Sequence, residues 1–247
     1  MSTVAATVSG PSRTHAQWRL LLGAAHPRQA VVLALAIGVL AFYSDRGWVQ
    51  SLVAAAAVLV VQLAAGLLND LFDAPLDRHG EVADKPVASG AVPRGNVTFT
   101  IAVLVLIAIP LSLQNGTLAG AALLATLVVA FVHDRILHRT PFSFVGWMLT
   151  FALYPVFLAY GGWAGGRHGD DPTWQFILVS AFVGLCVHFA TTLPDLVGDN
   201  RSGVRNLPLV IALRVGAPRL LVATVVVSAL VLAAFIVIGI DPGLRQW

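Results

Sequence analysis

Long runs of apolar residues separated by short polar connections dominate the sequence. Seven of these runs have a length that suits membrane-spanning helices, since about 17 to 25 apolar residues cross the hydrocarbon core of a bilayer. The pattern therefore predicts an all-α fold, a polytopic bundle of transmembrane helices with polar loops capping its ends. The predicted spans cover about residues 29–43, 48–71, 97–113, 117–132, 142–160, 173–193 and 219–240.

The segments outside the spans differ in character. Residues 1–14 are rich in serine, threonine, glycine, proline and alanine, a composition typical of a disordered tail. We assign residues 15–247 to a single transmembrane domain. Residues 18–25 predict a short interfacial helix that ends before Pro27. The connection over residues 74–96 is too long and too charged for a simple turn.

Composition supports a membrane location. Hydrophobic residues make up 57% of the chain, charged residues only 11%, and the mean hydropathy is +0.83. Soluble domains carry about 25% charged residues, so we expect an integral membrane protein in contact with the lipid bilayer. The net charge of +3 records topology in such a protein and does not indicate nucleic-acid binding. The one cysteine, Cys186, excludes a disulfide within the chain.

Basic residues predict the orientation of the bundle. Of the 15 lysine and arginine residues, all but Arg46, Arg167 and Arg245 fall in the N-terminal segment or in the loops on the same side of the predicted bundle. Positive residues favour the cytoplasmic side. The N-terminus and the three long loops are therefore predicted to be cytoplasmic, in the plasma membrane if the protein is bacterial, and Trp247 is predicted to lie outside.

An acidic stretch follows the second span directly. Asp70, Asp73 and Asp77 have the spacing i, i+3 and i+7, which places them on one face of a helix. Carboxylates are costly near hydrocarbon, and three like charges on one face repel each other unless a cation lies among them. Hard cations such as Mg²⁺ take carboxylate and phosphate oxygens, and Asn69 adds a neutral oxygen. The stretch predicts a metal and phosphate site at the membrane surface.

A second acidic stretch follows the sixth span. Asp195 and Asp199 are four residues apart, and an even number of spans between the two stretches puts both at the same face of the bundle. Together they could hold two cations bridged by a diphosphate, while the apolar interior suits a hydrocarbon tail. This combination describes a polyprenyl diphosphate. Its negative charge requires basic partners, which the same loops offer as Lys85, Arg139, Arg201 and Arg205.

These motifs resemble those of the UbiA superfamily of intramembrane prenyltransferases. The first motif of that superfamily, NDxxDxxxD, is matched by residues 69–77 and the second, DxxxD, by residues 195–199. The Arg-Pro-Leu-x-x-Gly pattern is similar to residues 85–90, with Lys85 for arginine. The Gly-x-x-Thr-Leu-Pro pattern is similar to residues 203–208, with Asn206 for threonine.

The resemblance implies a mechanism. It implies transfer of a prenyl group from its diphosphate to an acceptor, commonly an aromatic ring as in quinone biosynthesis, through an allylic cation in an apolar cavity. Asp77 is implied as a further ligand or as a group that orients the acceptor. The resemblance implies that Mg²⁺ is the cofactor and that it is held by Asn69, Asp70, Asp73, Asp195 and Asp199.

Three features depart from the superfamily pattern. Relatives have a tyrosine and a lysine where this chain has His133 and His138, and Arg139 is expected to supply the missing charge. Relatives typically have nine spans, so seven leave the helical ring open unless a partner copy or lipid closes it. Pro75 lies inside the first motif, which predicts a kink in place of a straight helix through Asp77.

Several alternatives stay open at this stage. A membrane terpene cyclase of the same superfamily would use the same site without an acceptor, and a partner-dependent or inactive homologue is compatible with the missing spans. A cation transporter would need ionisable residues at mid-membrane depth, where the spans are nearly free of them. His188, seven residues before Asp195, is interpreted either as a packing residue inside the bundle or as a proton acceptor.

Overall fold

The computed structural model describes residues 13–77, 85–163 and 171–244, apart from the side chains of residues 13–16, 76 and 77. All regular structure in these ranges is helical. The helices are α1 (Arg13–Ala24), α2 (Pro27–Tyr43), α3 (Trp48–Asp77), α4 (Arg94–Leu113), α5 (Thr117–Val132), α6 (Ser143–Ala159), α7 (Trp174–Thr192), α8 (Leu196–Arg201), α9 (Leu207–Val215) and α10 (Ala217–Ile238). A π-helical turn, His133–Leu137, follows α5, and a 3-10 turn, Leu193–Asp195, joins α7 to α8.

The predicted all-α membrane bundle is confirmed. By length and composition, five segments of the described part of the chain can each cross a membrane: α3, α4, α5 with the π-helical turn, α7 with the 3-10 turn and α8, and α10. Helices α1 and α2 form a bent pair, with 56° between them, that passes the same test when taken together, and α6 is an apolar helix of 17 residues. The seven predicted spans correspond to α2–α7 and α10, with ends that differ by a few residues.

Sequential neighbours pack side by side in the bundle. Helix α2 packs on α3, α3 also contacts α4 and α5, and α6 lies between α5 and α7. The centre is filled by buried side chains such as Val61, Leu123 and Phe157. One polar pair crosses this core, since Gln62 Nε2 donates to the Tyr154 hydroxyl at 2.7 Å. The pairing satisfies two groups that would be costly if left unbonded there.

A second apolar cluster packs at the end of the bundle where α3 ends and α4 begins. Leu21 from α1, Leu67 from α3 and Val97 from α4 are buried in it. Val87 and Val92, from the turn that precedes α4, complete it. The cluster fixes α1 and this turn against the part of α3 that carries the first acidic motif.

Helix α3 continues through Pro75 to Asp77, so the proline does not end the helix, and the predicted kink there stays a prediction. Proline lacks an N–H, so the carbonyl of Leu71, four residues earlier, loses its helical donor. The guanidinium of Arg94 replaces that donor, since its Nη2 lies 3.2 Å from the Leu71 oxygen. A residue at the start of α4 therefore compensates for the proline in the last turn of α3.

Two segments differ from the sequence-based prediction. The polar segment after the sixth span contains helices α8 and α9, which the hydropathy pattern did not predict. Helix α1 begins at Arg13, within the predicted tail of residues 1–14, while residues 1–12 lie outside the described ranges.

At the opposite end of the bundle, Arg46 is only 3% exposed. Its Nη2 donates to the carbonyl of Phe157 at 3.0 Å and to the carbonyl of Leu158, in the last turn of α6. Burial lowers the pKa of Arg46 to about 10, which leaves the guanidinium charged at neutral pH. The positive group thus binds the C-terminal end of a helix, where the helix dipole favours a cation.

Candidate active site

The first acidic motif lies buried at the end of α3. Asp70 is 3% exposed and Asp73 is 6% exposed. Asn69 Nδ2 donates to Asp73 Oδ2 at 3.1 Å and faces a second carboxylate, Asp134 Oδ1, at 3.4 Å. Asp73 Oδ1 has no hydrogen-bond partner among the described residues, and the nearest basic atom to it is His138 Nε2 at 3.8 Å. The motif therefore presents buried carboxylate oxygens with few donors around them.

Asp134 reaches this site because α5 ends in a π-helical turn over residues 133–137. Such turns are rare and often occur at functional sites, since the extra residue changes the direction of the side chains. Asp134 is 7% exposed and its hydrogen-bond partner is Asn69. Asp134 was not predicted as a site residue, although it has the signal that identified Asp70, an acid directly after an apolar span.

The second acidic motif spans a break between two helices. Asp195 is the last residue of the 3-10 turn that follows α7, and it is exposed. Asp199 lies in α8 and is half-buried. Asn206 Nδ2 donates to Asp199 Oδ2 at 2.6 Å, a contact that sequence analysis did not foresee. The expected spacing of i and i+4 is kept, but not within one continuous α-helix.

The structure brings the two acidic motifs to the same end of the bundle. Asp73 and His138 both lie within electrostatic reach of Asp199. The turn between α1 and α2 lies at this mouth too, since His26 is within electrostatic reach of Asp73 and Asp195. Carboxylates from α3, from the turn after α5 and from α8 thus surround one region.

The predicted basic partners lie around this region and differ in exposure and in hydrogen bonding. Arg139 and Arg201 are exposed, and their guanidinium groups make no hydrogen bond to the described residues. The loop of Arg205 is joined to the turn after α5, because its backbone N–H donates to the Arg139 carbonyl at 3.1 Å. The Arg205 guanidinium itself donates to Asn200 Oδ1 and to the Val204 carbonyl. Lys85 is half-buried and its charge acts on His26.

Aromatic rings line the bundle beside the acidic region. The Trp147 indole stacks on the His188 ring at 6.0 Å, and His133 meets both rings edge-on at 6.4 Å. His138 continues the series, 5.9 Å from His133. The two histidines that replace the tyrosine and lysine of the superfamily pattern thus connect the buried His188 with Asp73.

One sequence-predicted site residue, Asp77, stays a prediction. Its side chain lies outside the described part, although its backbone ends α3.

Comparison with known proteins identifies the fold and the family. The chain is similar to the structure of a UbiA homolog from Archaeoglobus fulgidus bound to GPP and Mg²⁺, with a TM-score of 0.68, 13% identity, and coverage of 87% of this chain and 76% of that one. It is also similar to the structure of a digeranylgeranylglyceryl phosphate synthase, with a TM-score of 0.58, 18% identity, and coverage of 87% and 77%. At these identities the likeness shows a shared fold.

Sequence relatives point the same way. The chain is 32% identical to the digeranylgeranylglyceryl phosphate synthase of Natronomonas pharaonis over 67% of this chain and 58% of that protein. It is 28% identical to the enzyme of the same name from Methanoregula boonei over 72% of this chain and 62% of that protein. The chain therefore spans about 60% of the length of these relatives. The profile of the UbiA prenyltransferase family matches residues 30–244, and the chain belongs to this family.

Proposed function

We propose that the chain catalyses the Mg²⁺-dependent transfer of a prenyl group from a polyprenyl diphosphate to an acceptor. The observation that carries the proposal is the meeting of two acidic motifs, distant in the chain, at one end of an apolar bundle. The charge of Asp73 reaches Asp199 there, and exposed arginines lie alongside. Homologues of the same fold are bound to GPP or DMAPP together with Mg²⁺, which supports this substrate class.

The residues present fit a hard divalent cation. Asn69 directs its amide nitrogen to Asp73 and Asp134, and Asp73 Oδ1 is a buried oxygen without a donor in the described part. Among the described residues, no three histidine, cysteine, aspartate or glutamate side chains lie close enough together to hold a metal ion by themselves. Mg²⁺ typically takes one or two carboxylates, so an ion bound here would complete its shell with phosphate oxygens and water. The proposed ligands are Asn69, Asp70, Asp73, Asp195 and Asp199.

Each part of the site has a task in this proposal. When bound, Mg²⁺ withdraws negative charge from the diphosphate and makes it a better leaving group. The remaining charge of the diphosphate is balanced by the basic side chains of Lys85, Arg139, Arg201 and Arg205. The Arg205 guanidinium is already oriented by its hydrogen bond to Asn200. The apolar helices hold the hydrocarbon chain and keep water from the allylic cation. Asp77 is proposed as a further ligand or as the group that orients the acceptor.

Two classes of acceptor are compatible with this site. An aromatic ring is implied by the resemblance described above, while a hydroxyl of a phosphorylated glycerol is suggested by the names of the sequence relatives. Purified protein should be incubated with Mg²⁺, a panel of prenyl diphosphates and both classes of acceptor, and the products read by mass spectrometry. Prenylated product that disappears when EDTA replaces Mg²⁺ is the expected result, and the acceptor that reacts identifies the class.

The same assay without any acceptor separates transfer from cyclisation. A terpene cyclase would convert the prenyl diphosphate alone into a hydrocarbon or an alcohol, whereas a transferase would leave it intact apart from slow hydrolysis. Absence of product under all these conditions would contradict the proposed activity. The cytoplasmic orientation of the site and closure of the helical ring by a second copy stay predictions.

Replacing Asp134 with asparagine is expected to weaken the binding of Mg²⁺ and, at the same time, to stabilise the metal-free protein. Asp134→Asn should raise the concentration of Mg²⁺ needed for half-maximal turnover by about tenfold, because it removes a negative charge beside Asp73. The same change should raise the thermal midpoint of the metal-free protein by about 2–4 °C, because a buried carboxylate with only an amide donor is replaced by a neutral group. Thermal shift in detergent and Mg²⁺ titration of turnover measure the two effects. A fall in both stability and affinity would indicate a purely structural role.

A further inference from the structure

A chain of hydrogen bonds connects the buried His188 with the second acidic motif. Ser143, the first residue of α6, is fully buried. Its Oγ accepts the backbone N–H of Leu207 at 3.1 Å and lies 2.9 Å from His188 Nε2. Leu207 is the residue directly after Asn206, which donates to Asp199. The beginning of α6 and the end of α7 thus meet the segment that holds Asp199.

One tautomer of His188 satisfies all of the polar groups around its ring. In this tautomer Ser143 Oγ accepts the Leu207 N–H and donates its own hydroxyl proton to His188 Nε2. His188 Nδ1 carries the ring proton and faces Thr192 Oγ1 at 3.4 Å. The Thr192 hydroxyl in turn donates to the His188 carbonyl at 2.8 Å. The hydroxyls of Ser143 and Thr192 and the ring N–H of His188 then all have acceptors. In this arrangement the imidazole is neutral and its Nε2 accepts a hydrogen bond.

Asn206 uses both ends of its amide. It is 2% exposed. Its Oδ1 accepts the N–H of Leu209 at 3.0 Å, as the N-cap of α9. Its Nδ2 donates to Asp199 Oδ2 at 2.6 Å. A residue at this position must both accept from the helix and donate to a carboxylate, which an amide or a hydroxyl can do and an ionised acid cannot.

We infer that Asn206, held in place by Ser143 and His188, is a positioning residue that fixes the carboxylate of Asp199 for the metal–diphosphate complex. The inference rests on the proposed function. It gives His188 a role in orienting the second motif, through Ser143 and the Leu207 N–H, in place of the role of proton acceptor. Partners that orient the ligands of a metal typically change metal affinity or activity by about 10–100-fold when removed.

The test compares two N-cap deletions. Asn206→Ala removes the cap of α9 together with the donor to Asp199, whereas Thr173→Ala removes the cap of α7, whose Oγ accepts the Phe176 N–H at 3.3 Å. Both should lower the thermal midpoint by about 2–4 °C, since each removes the side chain that caps a helix. Only Asn206→Ala should weaken binding of Mn²⁺ measured by electron paramagnetic resonance in the presence of inorganic pyrophosphate, by about tenfold or more. Ser143→Ala should weaken it in the same direction.

The conservative variant Asn206→Thr provides the rescue, because a threonine hydroxyl can accept from the helix and donate to Asp199. It should keep Mn²⁺ binding within about threefold of wild type. Equal Mn²⁺ binding by Asn206→Ala and Thr173→Ala would overturn the inference. Failure of the proposed function would look different, since wild type would then not bind Mn²⁺ with pyrophosphate, or Asp199→Asn would bind it as well as wild type.

Discussion

Alanine in place of Asp70, Asp73, Asp195 or Asp199 is expected to lower turnover of a prenyl diphosphate by more than about a hundred-fold. That loss would exceed the 10–100-fold that is usual for residues acting behind the ligands of a metal. The physical reason is that the diphosphate can leave only when its charge is withdrawn by cations, and these carboxylates are the proposed ligands. Turnover is measured by mass spectrometry at saturating Mg²⁺, with the thermal midpoint in detergent measured in parallel.

The matched control is Asp241→Ala, because Asp241 is an exposed aspartate beyond the C-terminal end of α10. It should keep wild-type turnover. The site variants should remain folded, and the one at Asp73 should be no less stable, since a buried carboxylate oxygen without a hydrogen-bond donor in the described part is removed. Full activity of the double variant Asp70→Ala/Asp195→Ala would refute the site.

A large effect on stability is expected at the other end of the bundle, at Gly161. A Cβ at this position would lie 2.5 Å from Arg46 Cζ and would overlap the guanidinium. Gly161→Ala should therefore displace the group that bonds the Phe157 and Leu158 carbonyls. We expect a loss of about 2–3 kcal/mol, the scale of a lost hydrogen bond to a charged group, read as a fall of the thermal midpoint by about 4–12 °C.

A double-mutant cycle separates this contact from a general effect of alanine. Arg46→Ala alone should destabilise the protein by a similar amount, because the two carbonyls at the end of α6 lose their donor. In that background Gly161→Ala should cost less than about 0.5 kcal/mol, since nothing is left to overlap. Additive effects of the two substitutions would show that Arg46 does not occupy the space beside Gly161. Turnover per folded molecule should stay unchanged in all three variants.

Much of the fold follows from hydropathy alone. A backbone inside hydrocarbon has to satisfy its own hydrogen bonds, so long apolar runs can only be helices, and the limits of α5 agree with the predicted residues 117–132. Helices α8 and α9 were not predicted, because they lie in a polar segment where hydropathy does not distinguish helix from loop. The Asn206 side chain that begins α9 is the type of N-cap that local sequence could have revealed.

The parts of the site that sequence did not predict depend on contacts between distant segments. Arg94 donates to the Leu71 carbonyl, which loses its helical donor at Pro75. The two residues are distant in the chain, so local sequence patterns could not predict this hydrogen bond. Asp134 joins Asn69 because of a π-helical turn, which apolar periodicity does not reveal. Asn206 occupies a position where the superfamily pattern has threonine, so the resemblance alone gave no reason to pair it with Asp199. The spacing of acids located the two motifs, while their neighbours required the packed bundle.

Helix α10 packs mainly on α7 and α9, and its remaining surface presents side chains such as Leu221, Val225 and Leu232 outward. In a bilayer these side chains meet acyl chains, as do Leu178 and Phe182, which are exposed side chains of α7 itself, the helix that leads into Asp195. The lateral pressure and thickness of the surrounding bilayer therefore act almost directly on the second motif. Short-chain detergents are expected to perturb the packing of α10 first. Nanodiscs of defined acyl length are therefore the appropriate medium for comparing turnover rates.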